Sequence, residues 1–194
     1  MTSIFALLTP LLMFFMPAPD AVVDWIGVRG PVYFNSTAFT LAWSDKPREN
    51  YRIQEFLPAG DSVETFHQMM TIHVFITNLT PKEAAQQEAK ELDDRKKTDP
   101  VCQYSIAASP DGSEAMVDFL LGVSRNDSMK TVEFNVYRYK QITVSENKKA
   151  VVVYAYSRRS YGDDITAFLH TLRETRREML NQMIAAEIPA ITLK

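Results

Sequence analysis

Alternating hydrophobic and polar residues predict seven β-strands along the chain, because a half-buried strand turns every second side chain toward the core. Three strands come early, at Thr37–Trp43, Tyr51–Leu57 and Thr71–Ile76, and the first two suit a hairpin. Four further strands follow in hairpin order, and their predicted bounds are Val101–Ala108, Glu114–Val123, Thr131–Ile142 and Ala150–Ser157. The last of them is apolar almost throughout, which is typical of a central strand covered on both faces.

A helical spacing of apolar residues marks the other elements. The stretch from Thr80 to Glu83 offers an N-cap, a proline at the first helical position and a glutamate at the third, so a helix is predicted from there to about Lys97. A longer helix is predicted from Asp163 or Asp164 to about Glu187, with Pro189 preventing further extension. Its apolar positions are Ile165, Phe168, Leu169, Leu172, Met179, Leu180, Met183 and Ile184.

A third, short helix is predicted between the second and third strands. Asp61 followed by Glu64 fits a capping box, and the helix would continue through Met69. Strands in hairpin order combined with these helices predict an α+β fold. We expect an antiparallel β-sheet of about six to seven strands, covered by a long C-terminal helix and a shorter mid-chain helix.

The first residues have the pattern of a secretory signal peptide. Ile4–Met16 (IFALLTPLLMFFM) is interrupted only by Thr9 and Pro10, and small or helix-breaking residues follow it. The run is too short for a stable transmembrane anchor. The alternatives are a buried N-terminal helix, which Pro10 disfavours, and an uncleaved anchor. The predicted organisation is a signal peptide at 1–21, an extended lead-in at 22–36, one domain at 37–188 and a tail at 189–194.

The order of these elements resembles that of the PsbP-like superfamily over residues 37–187. The segment from Tyr51 to Phe75 (YRIQEFLPAGDSVETFHQMMTIHVF) also looks like a stretch that recurs in uncharacterised exported domains. The resemblance implies an exported domain, but it carries no catalytic signature and transfers no site residues. An NTF2-like or cystatin-like α+β fold is the competing interpretation.

Composition narrows the class of partner. The net charge of −3 provides no electrostatic footprint for nucleic acid. After removal of the signal peptide no stable membrane span is expected, and the protein would be periplasmic or secreted. Cys102 is the single cysteine, so an intramolecular disulfide is excluded, and its apolar surroundings predict a buried side chain.

No motif in the sequence supports catalysis. It contains no P-loop, G-x-G-x-x-G, H-E-x-x-H, EF-hand loop or G-x-S-x-G elbow. His67 and His73 are six residues apart, which is not a metal-ligand spacing, and His170 lies at the polar boundary of the long helix. We therefore expect no catalytic residue, no cofactor and no metal ligand.

Basic residues are concentrated near the C-terminal end of the chain. Arg158, Arg159, Tyr161, Arg173 and Arg177 are candidates for docking an acidic partner or an anionic ligand. The alternative is a solvated surface with ion pairs, which contributes little to stability.

Three functions follow as hypotheses. The first is a non-enzymatic exported domain that binds a partner protein at the cell envelope. The second is a carrier of a small apolar ligand between the sheet and the C-terminal helix, since nine methionines and eleven phenylalanines could line such a cavity. The third is an enzyme whose polar residues leave no motif.

Overall fold

The computed structural model describes residues 22–126 and 128–194. This part of the chain forms one antiparallel sheet of eight strands and two α-helices. The elements are β1 (Val32–Phe34), β2 (Thr37–Arg48), β3 (Tyr51–Leu57), β4 (Gln68–Ile76), α1 (Pro81–Arg95), β5 (Gln103–Ala108), β6 (Glu114–Arg125), β7 (Ser128–Ser145), β8 (Lys148–Tyr161) and α2 (Ile165–Ala185). The predicted signal peptide, at residues 1–21, lies outside the described residues.

The strand order is β1-β2-β3-β4-β8-β7-β6-β5, so two consecutive meanders meet where β4 pairs with β8. Helix α1 connects the two meanders, and α2 follows the last strand. The α+β class, the antiparallel sheet and both helices are confirmed. Strand β8 is central, and Ala150–Ser157 are all buried, as their continuous apolar pattern predicts.

The expected strand number of six to seven is wrong, because the described chain has eight. The added strand is β1, which lies inside the segment predicted as a lead-in. Asn35 and Ser36 have φ angles of 46° and 61°, and this left-handed pair turns the chain tightly from β1 into β2. A strand of three residues is too short to give a recognisable alternation.

The short helix predicted from Asp61 to Met69 is also wrong, since residues 61–67 are irregular and β4 begins at Gln68. The Asp61 carboxylate accepts hydrogen bonds from the backbone N–H groups of His67 and Gln68, at 2.8 and 3.2 Å. These donors are six and seven residues away. The aspartate therefore closes a loop instead of capping a helical turn.

The other two helices begin where the sequence predicts, and each ends about two residues earlier than predicted. Thr80 and Glu83 form the predicted capping box, in which each side chain receives the other residue's backbone N–H. Helix α2 is preceded by a single 3₁₀ turn at Gly162–Asp164 and ends at Ala185, two residues earlier than expected.

The helices cover opposite faces of the sheet. Helix α2 packs on one face, here named the α2 face, and buries Leu172, Met179 and Met183 against the main core. Helix α1 packs on the other, the α1 face, mainly against β5, β6 and β7. On the α1 face no described helix lies over β3 and β4. Neither of the two described helices is long and apolar enough to cross a membrane.

Candidate functional site

A pocket of about 460 Å³ opens on the α1 face, between α1 and strands β3, β4 and β7. Its volume falls in the range of small-molecule sites, about 300–1,000 Å³. Aromatic rings make up much of its wall, and they belong to Tyr51, His73, Phe75, Tyr137 and Tyr139. We refer to this cavity as the α1 pocket.

Strand periodicity places these rings on one face. His73 and Phe75 are two residues apart on β4, and Tyr137 and Tyr139 are two apart on β7, so each pair points to the same side of the sheet. Tyr51 on β3 is the direct cross-strand partner of Phe75. Strand β8 pairs with β4 on one side and with β7 on the other, so the aromatic pairs of β4 and β7 lie in the same region of the sheet.

The rings form a continuous row across the strands. Tyr51 and Phe75 stack almost in parallel, with ring centres 4.4 Å apart. His73 lies 6.1 Å from Tyr51 and 6.1 Å from Tyr137. Tyr137 in turn meets Phe119 edge to face at 4.9 Å, which anchors the row in the core beneath α1.

His73 is an uncharged member of this row near neutral pH. Its Nδ1 shares a hydrogen bond of 2.9 Å with the Tyr51 hydroxyl. Burial lowers the pKa of His73 to about 4. His67, the other histidine considered from the sequence, is exposed beside Asp61 and does not line the pocket.

Helix α1 supplies the charge of the pocket. Glu88 and Glu91 are three residues apart and therefore neighbours on the helix surface, and both line the cavity. Burial, followed by repulsion from Glu91, raises the pKa of Glu88 to about 7. None of the described residues that line the pocket is a lysine or arginine.

Tyr139 brings an unsatisfied polar group to the same cavity. Its side chain is buried, and its hydroxyl has no hydrogen-bond partner among the described residues. Burial raises the pKa of Tyr139, and also that of Tyr137, so both phenols are protonated. A buried hydroxyl without a partner costs free energy that a bound ligand can recover.

The basic residues proposed as a docking patch do not form one surface. Arg158 and Arg159 are adjacent on β8 and point to opposite faces. Arg159 lies on the α1 face, where it pairs with Glu133 and stacks 3.9 Å from the ring centre of Phe66. Tyr161 lies on the same face and donates to the Phe66 carbonyl at 2.9 Å.

The remaining three members lie on the opposite side of the sheet. Arg158 faces α2 and lies over the Phe168 ring, 5.6 Å from its centre. Arg173 and Arg177 are exposed on α2. Glu178 on α2 lines a cleft together with Arg158. Because a helix turns by about 100° per residue, Arg173 and Arg177 lie on a different flank of α2 from Glu178.

Cys102 is buried beneath α1, as its apolar surroundings predict. Its thiol donates to the Leu92 carbonyl oxygen at 3.6 Å, and burial raises the pKa of the thiol. The cysteine does not line the α1 pocket. Among residues 22–126 and 128–194, no three histidine, cysteine or carboxylate side chains converge as metal ligands.

Comparison with known proteins adds one finding. The model of an uncharacterised protein family matches residues 26–188, which covers nearly all of the described fold. Nothing in this match links that family to the PsbP-like superfamily. No curated protein and no solved structure matches the chain.

Proposed function

The chain belongs to the uncharacterised family whose model matches residues 26–188, and we propose that it is a non-enzymatic exported domain that binds a partner protein at the cell envelope. The observation that carries this proposal is the α1 pocket, an aromatic cavity on the sheet face that α1 leaves partly open. The partner docks on this face and inserts a side chain into the pocket.

Exposed aromatic residues on the α1 face support docking. Phe75, on the rim of the pocket, has 36% of its surface exposed, and Trp43 has 40%. Trp43 lies on the same face, since it pairs with Glu55 and Glu55 pairs with Thr71. Aromatic side chains contribute a large share of binding energy at protein interfaces.

The chemistry of the lining residues supports binding in preference to nucleophilic catalysis. No serine, cysteine or lysine is among the described residues of the pocket wall. The one histidine there is held by Tyr51, and its low pKa leaves it a weak base near neutral pH.

The second hypothesis, a carrier of a small apolar ligand between the sheet and α2, has less support. The inward side chains Leu172, Met179 and Met183 are buried against β7 and β8 residues such as Phe134 and Tyr154. Two clefts remain between the sheet and α2, of about 310 and 320 Å³, and charged side chains such as Arg158, Asp118 and Arg176 line them, which does not suit an apolar ligand. The larger cavity lies on the opposite face and carries polar groups as well as aromatic ones.

Export is part of the proposal and rests on the hydrophobic run at residues 4–16. We expect the mature chain to begin between Pro19 and Val22 and to be located outside the cytoplasm. Intact-mass measurement of the protein from its native cells tests this, and recovery of the full chain from the cytosol would contradict it.

Site-specific photo-crosslinking in the native cells tests the docking face. A photoreactive amino acid in place of Phe75 is expected to produce a discrete adduct of higher mass. The same group in place of Arg177, exposed on α2, serves as the matched control and should produce none. The docking proposal fails if position 75 forms no adduct, or if both positions form the same adducts.

A further inference from the structure

The walls of the α1 pocket suit a positively charged group. Tyr51, Phe75 and Tyr137 present electron-rich rings along one side of the cavity. A cation within about 6 Å of such a ring centre is attracted by the ring quadrupole, and the attraction grows when water is excluded. The stacked pair of Tyr51 and Phe75 is held rigidly by strand pairing, so little order has to be acquired on binding.

The charges around the pocket point to the same chemistry. Glu88 and Glu91 on α1 line the cavity, and its described wall contains no lysine or arginine to neutralise them. Arg159, a guanidinium on the same face, is already paired with Glu133. The two carboxylates therefore leave a negative charge that a ligand can complement.

A hydroxyl group without a described partner, which can accept a hydrogen bond, belongs to the wall of the pocket. The Tyr139 hydroxyl is buried and has no partner among the described residues. Ammonium and guanidinium groups carry several N–H donors, and such a group can therefore donate to a hydroxyl and to a carboxylate at the same time.

We infer that the α1 pocket binds an organic cation, an ammonium or guanidinium group that a lysine or arginine side chain of the docked partner carries. The inference rests on the proposed docking function for the source of the cation. The positive charge of the ligand is inferred from the aromatic wall, the two glutamates and the hydroxyl without a described partner.

Binding of a cation has a consequence for pH dependence. Since the pKa of Glu88 is about 7, its carboxyl group changes from mostly neutral to mostly ionised as the pH rises from about 6 to about 8, and the affinity for a cation should rise with it. Glu91 lies beside Glu88 on α1, and the histidine and phenols around Glu88 stay neutral over this range. These neutral groups are Tyr51 on β3, His73 on β4, and Tyr137 and Tyr139 on β7.

An NMR titration of the full-length protein tests the inference. The probe is Nα-acetyl-lysine methylamide, and its Nε-acetylated form is the matched neutral probe. We expect the charged probe to shift the backbone amide signals of Tyr51, His73 and Tyr137, and the neutral probe to shift none of them. Glu88→Gln should weaken binding on the order of tenfold, as loss of a charged hydrogen-bond partner does. Glu174→Gln, which removes an exposed carboxylate on α2, should leave binding unchanged.

The two proposals fail in different ways. Equal binding of the charged and neutral probes, or a photo-adduct at position 75 that survives Glu88→Gln, overturns the cation and leaves docking intact. Binding of the charged probe without any photo-adduct at position 75 overturns docking by a partner, and a free organic cation then becomes the ligand. Loss of both the probe shifts and the adduct in Glu88→Gln supports the two proposals together.

Discussion

Two ionisable side chains in the α1 pocket have pKa values displaced in opposite directions. Burial lowers the pKa of His73 from 6.5 to about 4, while burial and Glu91 raise the pKa of Glu88 from 4.5 to about 7. Below pH 6.5 the unfolded chain binds more protons at His73 than the folded one, so this residue makes folding less favourable as the pH falls. Below pH 7 the folded chain binds more protons at Glu88, so this residue has the opposite effect.

Replacing either residue should leave the pH dependence of stability that the other residue contributes. As the pH falls from about 7 to about 5, the free energy of unfolding of His73→Gln is expected to rise relative to that of the wild type. That of Glu88→Gln is expected to fall, and each change is on the order of 1–2 kcal/mol. Urea unfolding at several pH values measures both slopes. The exposed His170→Gln variant is the control and should follow the wild type. Slopes parallel to the wild type in both pocket variants would contradict these pKa displacements.

The buried tyrosine hydroxyls provide a second comparison at the same scale. The hydroxyl of Tyr156 donates to Gln68 at 2.7 Å, while that of Tyr139 has no described partner. Tyr156→Phe is therefore expected to cost about 0.5–1.5 kcal/mol, and Tyr139→Phe to be neutral or stabilising. Denaturant unfolding of both variants checks the difference. A similar cost at both positions would mean that the Tyr139 hydroxyl is already satisfied in solution.

Among the elements, α2 combines an apolar stripe with one charged residue that faces inward. Arg176 interrupts the stripe and forms a two-pronged ion pair with Asp118 on β6, at 2.7 and 2.8 Å. The Asp118 side chain is only 8% exposed, so it depends on this partner. At the end of the helix, Arg138 on β7 donates to the carbonyls of Met183 and Ala186, which otherwise lack helical donors.

Adjacent arginines on α2 should therefore differ in their effect on stability. Arg176→Ala leaves a buried carboxylate without its partner and is expected to cost about 1–3 kcal/mol. Arg177→Ala, one residue further on, removes an exposed side chain and should cost less than about 0.5 kcal/mol. Thermal unfolding of the two variants provides the measurement, and equal destabilisation would show that the inward face of α2 is assigned wrongly.

For the molecule as a whole, the segments before β1 and after α2 complete the α2 face. The backbone N–H groups of Thr192 and Lys194 donate to the carbonyls of Ile26 and Trp25, at 2.8 and 3.1 Å. The Gln54 side chain on β3 fixes the first of these segments, accepting from Trp25 at 2.7 Å and donating to Val28. Residues at both ends of the described fold thus contact one another.

Removal of the last four residues tests this closure. Truncation after Ala190 deletes the half-buried Ile191 and Leu193 together with both backbone hydrogen bonds, and should cost about 2–4 kcal/mol. Amide hydrogen exchange at Trp25 and Ile26 should accelerate at the same time. Thr192→Ala keeps the backbone contacts and is the control. An unchanged melting temperature after truncation would rule out a structural role for this segment.

Local patterns in the sequence predicted most of the fold because the interactions that form it are local. The capping box of Thr80 and Glu83 needs only four consecutive residues, and the alternation in Tyr51–Leu57 needs only one strand. The helix predicted at Asp61 is wrong for the same reason. The sequence suggested a hydrogen-bond partner three residues away, but the actual partners lie six and seven residues away. The brief strand β1 has its partner in β2 and too few residues to show a period.

The α1 pocket could not be derived from the sequence. The spacing of Tyr137 and Tyr139, and of His73 and Phe75, places each pair on one face, but it does not say which strands lie side by side. The docking candidates show the same limit: Arg158 and Arg159 are neighbours in sequence and lie on opposite faces of β8.

The sequence by itself determined the α+β class, the long C-terminal helix, the shorter mid-chain helix and the central place of β8, because these depend on periodicity and on residues close together along the chain. Tertiary structure alone decided that β4 pairs with β8, that α1 covers only part of its face, and that Glu88 and Tyr139 meet in one cavity. The physical reason is that burial and pairing between distant segments are properties of the packed sheet. No short stretch of sequence encodes them.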